Sequence, residues 1–143
     1  MALLPASTNH QYYGARISAW FLLLSGFLEF VPGCIHFFIP MRAAEQIAGL
    51  AVGQNASLVI GMFSWTGALQ IPFGLALMLV ALRYRPLVPL FLFLNFMERA
   101  LMALAGWVLY PAAHHPPENY ASPVSAMLLF AFFLLSLRPA RNL

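Results

Sequence analysis

ISAWFLLLSGFLEFVPGCIHFFI, residues 17–39, decides the fold. It carries one formal charge, Glu29, in a run long enough to supply the ~20 apolar residues that a bilayer core of about 30 Å demands. The whole chain extends the argument: of its 143 residues 62% are hydrophobic and 8% charged, and the mean hydropathy is +0.82. An average soluble domain has about 25% charged residues. The expectation is an all-α, integral membrane four-helix bundle forming a single domain, with spans at residues 17–39, 57–82, 87–110 and 121–137. In the fourth, Ser122-Pro123 reads as an N-cap followed by a proline in the first helical turn.

The leader MALLPASTNHQYYGAR is polar and aromatic, and the apolar run after Arg16 is too long for a signal peptide, so the first span is read as retained. Cys34 is the single cysteine, which excludes an internal disulfide and a cysteine-based metal cluster and suits a small packing residue. All seven basic residues are arginines. Arg16, Arg83, Arg85, Arg138 and Arg141 fall at one end of the predicted bundle and Arg42 at the other, with Glu45 and Glu118. The positive-inside rule then puts both termini and the second connection in the cytoplasm. The net charge of +3 is thus a topology signal, and no basic aromatic stripe points to nucleic acid.

The connections differ in character. RYRP (83–86) is short enough to predict a tight antiparallel hairpin of spans two and three, with Pro86 and Pro89 in the first turn of span three. RAAEQIAGLAVGQN (42–55) is mildly amphipathic and predicts a short interfacial helix between helices one and two, in which Gly49 and Gly53 are spaced for close helix approach. The sequon at Asn55 abuts the membrane and reads as chance. YPAAHHPPENYASP (110–123) predicts a loop kept out of helix by its prolines, with Tyr110 and Tyr120 at the membrane interface. His114-His115 invites a metal, but adjacent histidines lack the spacing of a zinc site.

The most informative pattern is a shared depth. Counted from the cytoplasmic ends of their spans, Glu29, Gln70 and Glu98 all lie about 16–18 Å into the membrane. A charge at mid-membrane costs at least about 2.5–3.5 kcal/mol, so such groups turn inward and find partners. The three are therefore expected to face one another. Ser25, Glu29, Pro32, Gly33 and His36 share a face of helix one, as do Gly67, Gln70 and Gly74 on helix two. Asn95, Glu98, Arg99 and Met102 lie within two turns of helix three. Arg99, about 12 Å from the outer boundary, is too deep to reach water and should pair with a carboxylate. One glutamate would then be ionised against Arg99 and the other protonated, giving an acid and a base from one residue type. Pro32 and Pro72 each free a carbonyl four residues back, which suits bent helices around a cavity.

The expected site is Glu29 and Glu98 as acid–base residues, with Gln70, Asn95, Arg99, His36 and Trp65 contacting the substrate and no metal or cofactor. Structural alternatives stand beside it. Glu29, Glu98 and Arg99 also suit an ion-pair lock of helix register, Gln70 interhelical hydrogen bonding, and His36 an interfacial hydrogen bond. No phosphate-cradling glycine loop or nucleophile elbow is present, and the chain has no Asp, which removes a Ser-His-Asp triad in its usual form.

Gly26, Glu29 and Pro32 in helix one, GALQIPFGLAL (67–77), YRPLVPL (84–90) and ERALMALAGW (98–107) together resemble the small four-helix DoxX-like membrane proteins over most of the chain. In size and polar layout the chain also resembles the membrane-embedded hydrolases and cyclases of fungal polyketide and meroterpenoid pathways. That second resemblance implies epoxide opening by intramembrane acids, with Glu29 and Glu98 in the acidic roles. The leading expectation is a cofactor-free enzyme acting on a lipophilic small molecule by epoxide hydrolysis, cyclisation or isomerisation. It would be a multi-pass protein of the endoplasmic reticulum in a eukaryote or of the inner membrane in a bacterium. The alternatives are a scaffold subunit of a membrane complex and a proton-coupled transporter, the latter requiring a homo-oligomer.

Overall fold

The computed structural model describes residues 3–111 and 115–139. The described residues form four long helices: α1 (Arg16–Phe38), α2 (Ala56–Arg83), α3 (Val88–Leu104), continued by a π-helical turn at Ala105–Leu109, and α4 (Pro117–Ser136). All four are long and apolar enough to cross a membrane, the build of a multi-pass integral membrane protein. Large apolar side chains such as Leu24, Leu28, Leu58, Leu101 and Met127 lie exposed along their outer faces. In water such a surface would mark an interaction site; against lipid tails it is the ordinary exterior.

The bundle is built from two helix pairs. α1 packs on α2 and α3 packs on α4, while α2 and α3 barely touch beyond their short connection. The tight hairpin predicted from residues 83–86 is therefore a tight connection only, made by Tyr84 and a single turn at Arg85–Leu87. Glycines explain the partner choice. The buried seam of α1 runs Leu22, Gly26, Glu29, Gly33, His36, alternating four- and three-residue steps, and α2 answers with Gly67 and Gly74. A Cβ on Gly67 would sit 2.6 Å from the Gly33 carbonyl and the Phe37 amide; one on Gly74 would sit 2.8 Å from the Gly26 carbonyl. Backbones this close gain dispersion contacts and leave no room for a third helix between them. Gly67→Ala is accordingly expected to cost about 1–3 kcal/mol, since backbone on both sides must move. Gly61→Ala, on the same helix with open space at its Cβ, should be neutral or stabilise by up to about 1 kcal/mol. Thermal unfolding of the two variants in detergent separates the cases; equal midpoints would refute the backbone-contact account.

The α3–α4 pair uses aromatic rings instead, with Phe93 against Phe133 at 5.4 Å and Phe96 against Phe130 at 5.1 Å between centroids. The apolar core that joins the pairs, Ala19, Leu22, Leu77, Val80, Ala81, Val88, Leu92 and Leu129, lies toward the end where the chain termini meet. A backbone bridge between Gly14 and Pro139 ties those termini together. The arm before α1 closes the same end. Ser7 Oγ and the Thr8 amide donate to the Arg83 carbonyl at 3.0 and 2.9 Å, and Asn9 Nδ2 donates to the Leu82 carbonyl at 2.6 Å. These donors satisfy carbonyls that the end of α2 leaves without helical partners. Arg16, Arg83, Arg85 and Arg138 all sit at this end; Arg141 and His114 lie outside the described residues.

Two local expectations change. α4 begins at Pro117, not at 121, because Pro116 and Pro117 pre-set the helical entry, so Pro123 falls inside the helix and Ser122 is no cap. Ser122 Oγ donates to the Glu118 carbonyl at 2.7 Å. The carbonyl of Asn119, which the missing Pro123 N–H leaves free, accepts from Trp107 Nε1 at 2.7 Å. The connection after α1 carries a short helical stretch, Pro40–Arg42 running on as a π-helical turn over Ala43–Ile47, and a further turn at Gly53–Asn55. Gly49 and Gly53 there adopt φ of +67° and +47° and serve the chain's turning, not helix contact. Both α1 and α2 run on as helix through Pro32 and Pro72.

Candidate functional site

Away from the apolar core the helix seams turn polar. On α1 the seam positions are Glu29 and His36; on α3 the inner row Val88, Leu92, Asn95 leads one turn on to Arg99; on α4 Glu118 precedes Ser122 and Ala126 on the buried side. Glu98 neighbours Arg99 in sequence but lies about 100° around the helix from it. It consequently faces a different space.

Two polar groupings result. In the first, the Arg99 guanidinium forms an ion pair with Glu29, whose side chain is 1% exposed. Glu29 Oε2 and the Asn95 Oδ1 beside this layer have no hydrogen-bond partner among the described residues. In the second, His36 bridges three helices. Its Nδ1 lies 2.8 Å from Gln70 Oε1 on α2 and its Nε2 lies 3.2 Å from Glu118 Oε1 on α4. The edge of Phe63 packs on the same ring at 5.3 Å. The Glu118 side chain is 42% exposed, so this grouping climbs from the buried layer to the end of the bundle opposite Arg16, Arg83 and Arg138. Arg99 lies within electrostatic reach of Glu118, which links the two.

The parting of α2 from α3 leaves a crevice of about 480 Å³, lined by Thr66, Leu69, Gln70 and Phe73 from α2 and Leu94, Glu98 and Met102 from α3. That volume is within the range of small-molecule sites. The outward-lying Thr66, Leu69 and Leu94 leave its mouth open on the apolar flank of the bundle. Glu98 makes no hydrogen bond or ion pair among the described residues, and its Oε2 is buried without a partner. The Gln70 amide nitrogen likewise has no partner there, its oxygen being held by His36.

Of the residues singled out from sequence, Gln70 and Glu98 share the crevice, Glu29 and Arg99 share an ion pair, and Asn95 is 2% exposed on the inner row of α3. Glu29 thus turns to Arg99 and not to Gln70 and Glu98. Trp65 is 72% exposed on α2 and is not brought to the others. Glu118 was missed, having been read as a loop charge. Its signal was an acid one position after a Pro-Pro pair, the pattern of a first helical turn. His115 stacks on Trp107 at 4.4 Å and lies 3.1 Å from the Asn119 amide nitrogen. Among the described residues no three His, Cys, Asp or Glu side chains gather as a metal site. No family model, curated protein or solved structure matches this chain.

Proposed function

We propose that this protein is a membrane-embedded, cofactor-free enzyme that carries out acid–base chemistry on a lipophilic small molecule held between α2 and α3. The observation that carries the reading is Glu98: a carboxyl group without a cation or hydrogen-bond partner among the described residues, set in a crevice whose other walls are apolar except for Thr66 and the Gln70 amide. An isolated carboxylate in such surroundings costs far more than the neutral acid, so Glu98 is ready to act as a proton donor. Epoxide opening is the reaction class we favour. The Glu98 proton passes to the epoxide oxygen as the C–O bond breaks. A hydroxyl of the same molecule, or water, bonds to the carbon released, and its proton returns to the Glu98 carboxylate. Cyclisation or hydrolysis follows with the acid regenerated, and proton transfer out and back would equally serve an isomerisation.

Glu29, taken from sequence as the second acid–base group, becomes a positioning residue in this reading. Its negative charge is matched by Arg99, one residue from Glu98, so the ion pair sets the rotation of α3 and the aim of Glu98. The arginine-bearing end of the bundle we assign to the cytoplasm, in the endoplasmic reticulum of a eukaryote or the inner membrane of a bacterium. The DoxX-like resemblance is compatible with this architecture and is silent on the chemistry.

A scaffold reading draws on one specific observation, the buried Glu29–Arg99 pair joining α1 to α3, which fixes register whether or not any ligand binds. Mass spectrometry of lipophilic molecules retained through purification decides between them. The enzyme reading expects a discrete compound held by the native protein and lost in Leu94→Trp, which fills the crevice. An identical lipid profile in both proteins would sink it.

A further inference from the structure

We propose that the crevice selects a neutral lipophile through a single hydrogen-bond-accepting oxygen, such as a ketone, ether or epoxide oxygen, and that His36 imposes this choice by orienting Gln70. The proposal rests on the crevice being the ligand site, and it deepens that reading by naming the ligand's polar group.

The argument starts from His36, which is 4% exposed and has an acceptor at each ring nitrogen. Gln70 Oε1 has only lone pairs, so at 2.8 Å the Nδ1 must bring the hydrogen. Across the ring, Glu118 Oε1 faces Nε2 at 3.2 Å, and a carboxylate there favours a hydrogen on that nitrogen too. With its oxygen taken, Gln70 can offer the crevice only the N–H donors of Nε2. Glu98, in the acid form suited to its unpaired setting, offers an O–H. Two donors converge on a space otherwise lined by Thr66, Leu69, Phe73, Leu94 and Met102. A ligand whose polar group accepts satisfies both. An ammonium group, which can only donate, would leave the Gln70 N–H unmet and could pair only with a Glu98 that had become charged among apolar walls, at a desolvation cost to both ions. Sites built to pair with a polar group discriminate strongly against analogues that leave the site's own groups unpaired. Were His36 absent, the Gln70 amide would be free to turn and present its carbonyl, and the discrimination would go with it.

The test compares three probes of one chain length in lipid nanodiscs: a long-chain dialkyl ketone, the matching alkane and the matching dialkyl amine. Bound probe is counted by native mass spectrometry, and the carbonyl stretch of the ketone is followed by infrared spectroscopy. The ketone should bind at least about tenfold more tightly than the alkane and more tightly than the amine, with its carbonyl stretch moved to lower frequency. His36→Leu should reduce the preference to below about threefold. His36→Asn, whose amide N–H stands near the place of Nδ1–H, should retain it. Equal binding of ketone and alkane, or tighter binding of the amine, overturns the proposal, and so does an undiminished preference in folded His36→Leu. The wild-type comparison needs no variant, so a His36→Leu protein that fails to fold leaves the proposal open to refutation. Turnover plays no part in this readout. Ketone selectivity without catalysis would defeat the enzyme reading alone, and catalysis without selectivity would defeat this inference alone.

Discussion

Arg99→Leu is expected to lower stability by about 3–5 kcal/mol, the usual penalty for breaking a buried ion pair from one side. Glu29 stays behind at 1% exposure, and its second oxygen has no hydrogen bond among the described residues to fall back on. Chemical or thermal unfolding in detergent measures the loss. Removing both charges in Glu29→Leu/Arg99→Leu should restore most of the loss, since a packed apolar pair carries no desolvation penalty in a membrane bundle. The cycle would then show a coupling of more than about 2 kcal/mol between α1 and α3. A single-variant cost under about 1 kcal/mol would mean that the pair does not hold these helices together.

Glu98→Gln should do the opposite: leave folding intact and reduce turnover by about 10²- to 10⁴-fold, the contribution expected of a positioned acid–base group. The amide preserves the shape of the side chain and can still donate hydrogen bonds, yet it has no proton to transfer. No partner among the described residues is lost, because none is made. The assay is conversion of whatever compound the native protein retains, with the unfolding midpoint recorded alongside. Undiminished conversion would remove Glu98 from the mechanism, and a collapse of the midpoint would mark it as structural. Glu29→Gln provides the contrast, since its main effect should fall on stability.

Depth along a helix was legible in the sequence, and direction around it was only partly so. Counting at the helical rise placed Glu29, Gln70 and Glu98 at one level, but in the structure Glu29 pairs with Arg99 while Gln70 and Glu98 line a separate crevice. The count could not separate Glu98 from Arg99, which share that level and differ by about 100° in facing. Which one enters the bundle depends on where α2 and α4 stand relative to α3, and that is a tertiary fact. The span between Arg83 and Val88 suggested helices packed side by side; Gly26, Gly33, Gly67 and Gly74 decided otherwise by bringing α2 to α1. The crevice was illegible for the same reason, because Leu69, Phe73 and Leu94 look like any lipid-facing residue until two helices part. Trp65 shows the converse error, a large ring near polar neighbours in sequence that points away from them. Glu118 was within reach of a closer reading of Pro116-Pro117 as a helix start.

The arm before α1 has a consequence for biosynthesis. Ser7 and Asn9 reach carbonyls 76 and 73 residues further along the chain, so their bonds cannot form until the second helix has left the ribosome and entered the membrane. Neither bond involves α3 or α4. The first half of the protein can therefore close on itself while the second half is still being made, and the later hairpin is delivered to a surface already set.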